Sequence, residues 1–320
     1  MSEPPTQSGP ESPAGGQPEA GNPAASERRA PWWHDRAPLI LVPLDGSEGA
    51  KLALAAARRV APLANASIQI LYVADEPVAS ADELLKRVGL QPSETTGLVV
   101  EQATGEPGQA IADTAQRHQA SLIAMTIRGL SNSDQWQVSP VVESVLNRAP
   151  CPLLLLRAEL APWLAQRQRA QRVLLPLDGT PSAAAAIGPA LELADHIHAD
   201  VDILNVAVQA EPPSERGSLT APQYIDQPHY EWPAWAQEFA SRFGTALGQY
   251  RPSAKTRVFV RSGNAPEEIL RFAREEQSDL IVLEWKGRFS PEPGKVIKQV
   301  LADMPCPVLL LPERDESLGW

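Results

Sequence analysis

The chain has 320 residues, 43% hydrophobic and 21% charged, an ordinary balance with enough apolar mass for two cores. Lys and Arg number 28 against 39 Asp and Glu, and the formal charge of -11 argues against a nucleic-acid coat or a binder of anionic membranes. Two cysteines give no disulfide framework, no apolar run nears the roughly 18 residues of a membrane span, and the first residues lack a secretory signal, so a cytoplasmic protein is expected.

Residues 1–37 are rich in Pro, Gly, Ala, Ser and Glu without a hydrophobic period, the composition of a disordered tail. Trp32 and Trp33 are its large apolar residues; they could dock a partner, but the simpler reading lays them against the first domain. Regular patterning starts at residue 39. A buried strand is predicted over 39–44, followed by a helix in which Ala50, Ala53, Leu54, Ala57 and Ala61 recur at helical spacing. Further strands are predicted over 67–73, 98–102, 122–127 and 153–156, with a helix over 107–119 and another marked by Val141, Val142, Val145 and Leu146. This alternation implies parallel pairing by right-handed crossovers in an open α/β sheet covered on both faces.

The second half repeats the first. Val42-Pro43-Leu44-Asp45-Gly46-Ser47 returns as Leu175-Pro176-Leu177-Asp178-Gly179-Thr180, an offset of 133 (178 minus 45). Each copy ends an apolar run in a carboxylate, a glycine and a hydroxyl residue that can cap a helix, so each is a strand running into a helix. Gly105 and Gly129 match Gly263 and Gly287 at an offset of 158, so 25 extra residues (158 minus 133) lie between the second and third strands of the second half. Pro150-Cys151-Pro152 matches Pro305-Cys306-Pro307 at 155, which removes three residues from the loop before the last helix. Both changes fall in loops, where they cost least.

The domains expected are a tail over 1–37, a first domain over 38–157, a linker over 158–171, a second domain over 172–313 with an insertion near 208–232, and a short tail over 314–320. Arg167, Arg169 and Arg172 cluster at the linker, and a solvated face is the expected reading. Trp235, Phe239 and Phe243 of the insertion fall at helical spacing and read as core, whereas Tyr224 to Trp232 is irregular and could form a lid or an interface. His196 and His198 have no third ligand fixed nearby and read as polar residues at a helix end; His118 reads as a surface residue. Cys151 and Cys306 each enter a final strand between prolines, as small inert residues.

Together, and in the same order twice, three elements resemble the universal stress protein family. They are the strand ending in Pro-Leu-Asp-Gly-Ser/Thr, the turn Gly105-Glu106-Pro107 or Gly263-Asn264-Ala265-Pro266, and a last helix followed by Pro-Cys-Pro and an apolar run. The resemblance covers residues 38–157 and 170–313. It implies two doubly wound five-stranded parallel sheets of strand order 3-2-1-4-5, one per domain, with a ligand cleft where the order reverses between strands one and four. It also implies that the two domains pack as a pseudo-dimer through their last strands.

In members that bind ATP, the Asp after strand one lies near the adenosine, and a Gly-x2-Gly-x9-Gly-Ser/Thr loop after strand four wraps the phosphates. The corresponding cleft residues here are Pro43, Leu44, Asp45, Val73, Thr126, Arg128, Gly129, Ser139 and Val141 in the first domain. In the second they are Pro176, Leu177, Asp178, Val206, Glu284, Lys286, Gly287, Gly294 and Lys295. The first loop keeps its spacing but retains only Gly129 of three glycines, with Pro140 in place of the hydroxyl residue, so phosphate binding should be weak or absent. The second is shortened to six residues between Gly287 and Gly294, and there Glu284 opposes a phosphate while Lys286, Arg288 and Lys295 attract one.

The expected function is that of a non-catalytic stress-response protein with degenerate clefts, its tail or insertion engaging an unknown protein partner. No metal, nucleic acid or membrane is expected as a partner, and a further homodimer is left open. The alternative is a sensor that binds ATP or AMP in one cleft, with the second domain favoured for its basic residues. A nucleotide hydrolase is the weakest reading, because no nucleophile and base are grouped in the sequence.

Overall fold

Leu39–Pro43 forms β1, and its Ile40, Leu41 and Val42 are buried completely, as expected for a central parallel strand covered on both faces. The computed structural model describes residues 38–78, 80–127, 139–167, 169–177, 186–207, 253–285 and 293–312. The expectations for the tails, for Trp32 and Trp33, and for the aromatic insertion lie outside these residues.

After β1 the chain turns at Gly46, whose φ of +83° belongs to the left-handed region. It then enters α1 (Glu48–Ala64), where Ser47 is the N-cap, its hydroxyl accepting from the Ala50 N–H at 3.2 Å. The first half continues with β2 (Ser67–Ala74), α2 (Ala81–Val88), a 3-10 turn over Pro92–Thr95, β3 (Val99–Thr104), α3 (Pro107–Arg117), β4 (Leu122–Ile127), α4 (Pro140–Leu146) and β5 (Leu153–Arg157). A 3-10 turn over Ala158–Leu160 and α5 (Ala161–Gln166) join it to the second half. There follow β6 (Arg172–Leu177), α6 (Ile187–Ile197), β7 (Asp200–Ala207), β8 (Thr256–Ser262), α7 (Ala265–Glu275), β9 (Leu280–Trp285), α8 (Pro293–Asp303) and β10 (Val308–Pro312).

The strands lie in the order β3-β2-β1-β4-β5-β10-β9-β6-β7-β8. Each half therefore has the 3-2-1-4-5 order, with all of its neighbours parallel. The halves do not end as two separate sheets. β5 and β10 pair antiparallel, with Leu154 opposite Leu309, and make one sheet of ten strands. One core on each face runs across this seam: Val42, Leu154, Val282 and Leu309 belong to one, Leu41, Val145, Leu155, Val300 and Leu310 to the other.

The linker differs from its expected solvated form. Leu160 and Leu164, one helical turn apart, are buried against the core of α1, and Arg167 forms an ion pair with the buried Asp279 at 3.2 Å. Asp279 also accepts from the backbone N–H groups of Gln171 and Arg172, at 2.8 and 3.1 Å. Arginine and glutamine make the end of this stretch polar, but the two leucines determine where it lies. No helix of the described residues is long and apolar enough to cross a membrane.

Candidate functional site

The strand order reverses between β1 and β4 in the first half and between β6 and β9 in the second, so each reversal opens a crevice at the carboxyl ends of the strands. Leu41 is paired with Ile123 and Leu174 with Ile281. Continuing either register by three residues brings Leu44 level with Thr126, and Leu177 level with Glu284. The described residues of each cleft thus lie at the adjacent carboxyl ends of the first and fourth strands of that half.

In the first cleft Pro43 is half-buried and Leu44 buried, while Asp45 is exposed at the lip. Its Oδ1 accepts from the Ser47 N–H at 3.0 Å and from the Ser47 hydroxyl at 2.6 Å, which fixes the turn. The carboxyl end of α2 lies against this turn. A Cβ on Gly46 would be 2.1 Å from the Arg87 carbonyl oxygen, and one on Gly89 would be 3.3 Å from the Gly46 oxygen. Arg87 reaches from α2 to Tyr72 on β2 and pairs with Glu83 one turn back on α2 itself, and hydrogen bonds to both raise its pKa. Val73 and Thr126 are half-buried, with Val73 against the core beneath.

The start of α4 has little left for an anion. Ser139 is its N-cap and accepts from the Val142 N–H at 3.3 Å, and Pro140, at the first helical position, has no N–H. Among the first three helical residues, at most the N–H of half-buried Val141 remains. Arg128 and Gly129 lie outside the described residues.

In the second cleft Pro176 is half-buried and Leu177 buried. Asn205, which the sequence reading passed over, is buried beside them and donates from Nδ2 to the Leu177 carbonyl at 3.1 Å. Val206 and Glu284 are half-buried, Gly294 is buried near the start of α8, and Lys295 is exposed there. Asp178, Lys286 and Gly287 lie outside the described residues. Trp285, next to Glu284, donates from its indole N–H to the Leu146 carbonyl of the other half at 2.7 Å.

Burial pushes the Cys151 thiol up to about 12 and raises that of Cys306 as well, so neither is poised as a thiolate. His198 caps α6 with left-handed backbone, and His196 meets the Leu63 carbonyl at 2.6 Å. His118 is more than a bystander, since it lies 2.8 Å from Glu101. Among the described residues no group of three His, Cys, Asp or Glu could hold a metal ion.

The profile of the Universal stress protein family matches residues 39–157 and 169–312. A Thermus aquaticus protein, described as the universal stress protein in the QAH/OAS sulfhydrylase 3' region, is 34% identical over 134 residues, covering 37% of this chain and 97% of its own length. Universal stress protein YxiE of Bacillus subtilis strain 168 is 28% identical over 144 residues, covering 37% of this chain and 97% of its own. Two solved structures share the fold over both halves. A putative universal stress protein from Pseudomonas aeruginosa UCBPP-PA14 has a TM-score of 0.62 at 20% identity, covering 90% of this chain and 99% of that one. One from Archaeoglobus fulgidus has 0.59 at 18%, covering 86% and 98%. With two matched segments that leave out little beyond the linker and the chain ends, this protein belongs to the universal stress protein family and carries two of its domains.

Proposed function

We propose that the chain is a non-catalytic stress-response protein whose two domains form an intramolecular pseudo-dimer and whose clefts have lost most of their hold on phosphate. The observation that carries the second part is the start of α4. A helix start binds an anion through free N–H groups, and here one is absent at Pro140 and another is taken by Ser139. The antiparallel seam between β5 and β10, with a core on each face continuing across it, supports the first part. In this reading the protein acts by presenting a surface to a protein partner.

A second reading, an ATP or AMP sensor, rests on the other half. Buried Gly294 and exposed Lys295 at the start of α8 leave room for close approach by an anion and supply a charge for it. Calorimetric titration of the full chain with ATP, repeated on Asp45→Ala and Asp178→Ala, separates the two. The phosphate-poor reading predicts no heat at millimolar ATP in any of the three. Binding that disappears in Asp178→Ala alone would replace it with the sensor. Phosphate release above a no-protein control, abolished by either substitution, would overturn the non-catalytic assignment.

A further inference from the structure

The seam strands cannot tell one half of the chain from the other. β5 reads Leu-Leu-Leu-Leu-Arg and β10 reads Val-Leu-Leu-Leu-Pro, and at the repeat offset of 155 Leu154 and Leu309 are the same position. These two residues face each other, with Leu155 opposite Val308 and Leu153 opposite Leu310 on either side. The ladder is therefore centred on an approximate two-fold axis. A β5 pairing with the β5 of a second copy would place Leu154 on Leu154 with the same backbone bonds, so the ladder alone gives no preference for the partner.

Away from the strands, equivalent positions that meet across this axis have become unlike. Glu143 on α4 and Lys298 on α8 are the same repeat position at offset 155, and their charged atoms lie 3.9 Å apart. Leu63 and His196 are the same position at offset 133, and the His196 ring meets the Leu63 carbonyl at 2.6 Å. Trp285 corresponds to Ile127 at offset 158, and only the tryptophan can donate to the Leu146 carbonyl at the end of α4. Arg157 corresponds to Pro312 at offset 155, and the arginine donates to the Ala302 carbonyl at the end of α8.

We propose that these differences form a pairing code that seats each half of the chain on the other half and rejects a like half from a second copy. The proposal rests on the intramolecular pseudo-dimer reading and specifies how that pairing is selected. Two first halves would oppose Glu143 to Glu143, leave both Leu146 carbonyls without an indole, and lose the imidazole at Leu63. Two second halves would oppose Lys298 to Lys298, house two indoles where one now fits, and have Pro312 at both places where Arg157 now donates. Like charges in register repel, and one large side chain matched by one small one is lost in both like pairs. The consequence is protection: two nearly identical apolar strands, each able to recruit a second chain, are committed to one another.

A protease site inserted at Gln168 tests this in the full chain. The protein is nicked, unfolded in denaturant together with a nicked copy carrying a mass tag and refolded, and native mass spectrometry then counts the pairs. Pairs between unlike halves only are expected, whereas indifferent halves give about one half unlike pairs by random assortment. The random share in the unmodified sequence overturns the code. Separation into single halves overturns the pseudo-dimer and the code together. The double substitution Trp285→Ile and Lys298→Glu, which gives the second half the first half's residues at these two positions, should bring unlike pairs down towards the random share. If that variant does not fold, the reversed pair Glu143→Lys with Lys298→Glu decides: unlike pairs should stay exclusive, and random pairing there overturns the charge component of the code.

Discussion

The two halves share a strand order but satisfy the polar residues near the amino ends of their strands in different ways. In the first half Gln69 donates to Glu101, which also pairs with Arg117 at 2.6 Å and with His118 at 2.8 Å, on the half-exposed edge strand β3. In the second, Asp202 takes the place of Gln69 and is completely buried. Arg257 grips it with two hydrogen bonds of 2.7 and 2.8 Å, and Glu276 bridges Arg257 to Arg172 at 2.9 and 2.8 Å. The bond to Asp202 is the main reason that the Arg257 pKa is raised. A neutral amide with a peripheral ion pair is forgiving. A buried carboxylate with a bidentate partner is not, because losing one member strands the other.

The largest expected effect follows from that contrast. Asp202→Ala takes from Arg257 the buried acceptor of two hydrogen bonds and from Arg172 an ion-pair partner 3.8 Å away. Each guanidinium side chain is about a third exposed, so water relieves part of the cost, and a loss of about 2–3 kcal/mol is expected in chemical denaturation. Gln69→Ala should cost about 1 kcal/mol. Equal losses at the two positions would show that the buried network is no tighter than its exposed counterpart.

Next in size is the turn under α2. Gly46→Ala combines a left-handed φ with a Cβ 2.1 Å from a backbone oxygen, which α2 can relieve only by moving away. About 2 kcal/mol is expected, with increased amide exchange in α2. Gly105→Ala, where φ is +112° and nothing lies within 4 Å of the added carbon, measures the backbone strain alone. A cost at Gly46 no larger than at Gly105 would show that α2 does not press on the cleft turn.

Trp285→Phe keeps one aromatic ring but removes the N–H and some buried volume; the Leu146 carbonyl left short of a donor accounts for about 1 kcal/mol, and the vacated space adds to it. The same change probes what the sequence conceals. The strands and the repeat were legible because runs such as Leu39–Pro43 and Val308–Pro312 are buried on both faces and have no other use for their composition, whereas the strand order came only with the family resemblance. The cleft turn at Asp45 was legible for a local reason too, since Ser47 caps the next helix from three residues away. Trp285 bonds to a carbonyl 139 positions away, and Arg167 to an aspartate more than a hundred positions on, and neither bond leaves a local pattern. Asn205 and Asp202 were hidden in the same way, as polar residues inside a strand whose partners lie on other elements. Leu160 and Leu164 did carry a signal, a helical spacing, but the surrounding charges outweighed it.

The smallest effect isolates the halves by pH. Glu106 and Asn264 are the same repeat position, at offset 158, and each caps the helix after the third strand. Glu106 accepts from Gly108 N–H at 2.9 Å and from Gln109 N–H at 2.6 Å, and these bonds hold its carboxyl below the usual glutamate range. Asn264 accepts from Glu267 N–H at 3.4 Å through a neutral amide. A carboxyl whose folded pKa is lowered contributes stability that is present above its unfolded pKa and is lost as pH falls through the folded value. The first half should therefore lose its cap in acid while the second keeps its own. At neutral pH, Glu106→Asn should cost about 0.5 kcal/mol, the size of an exposed charge at a helix start. The difference from the unmodified chain should shrink as the pH falls below the glutamate range, because the protonated side chain no longer offers the helix a charge. Denaturation curves of the two proteins across that range provide the measurement. A gap that persists in acid would mean that Glu106 holds α3 by shape and packing, as through its contact with Ser144, rather than by its charge.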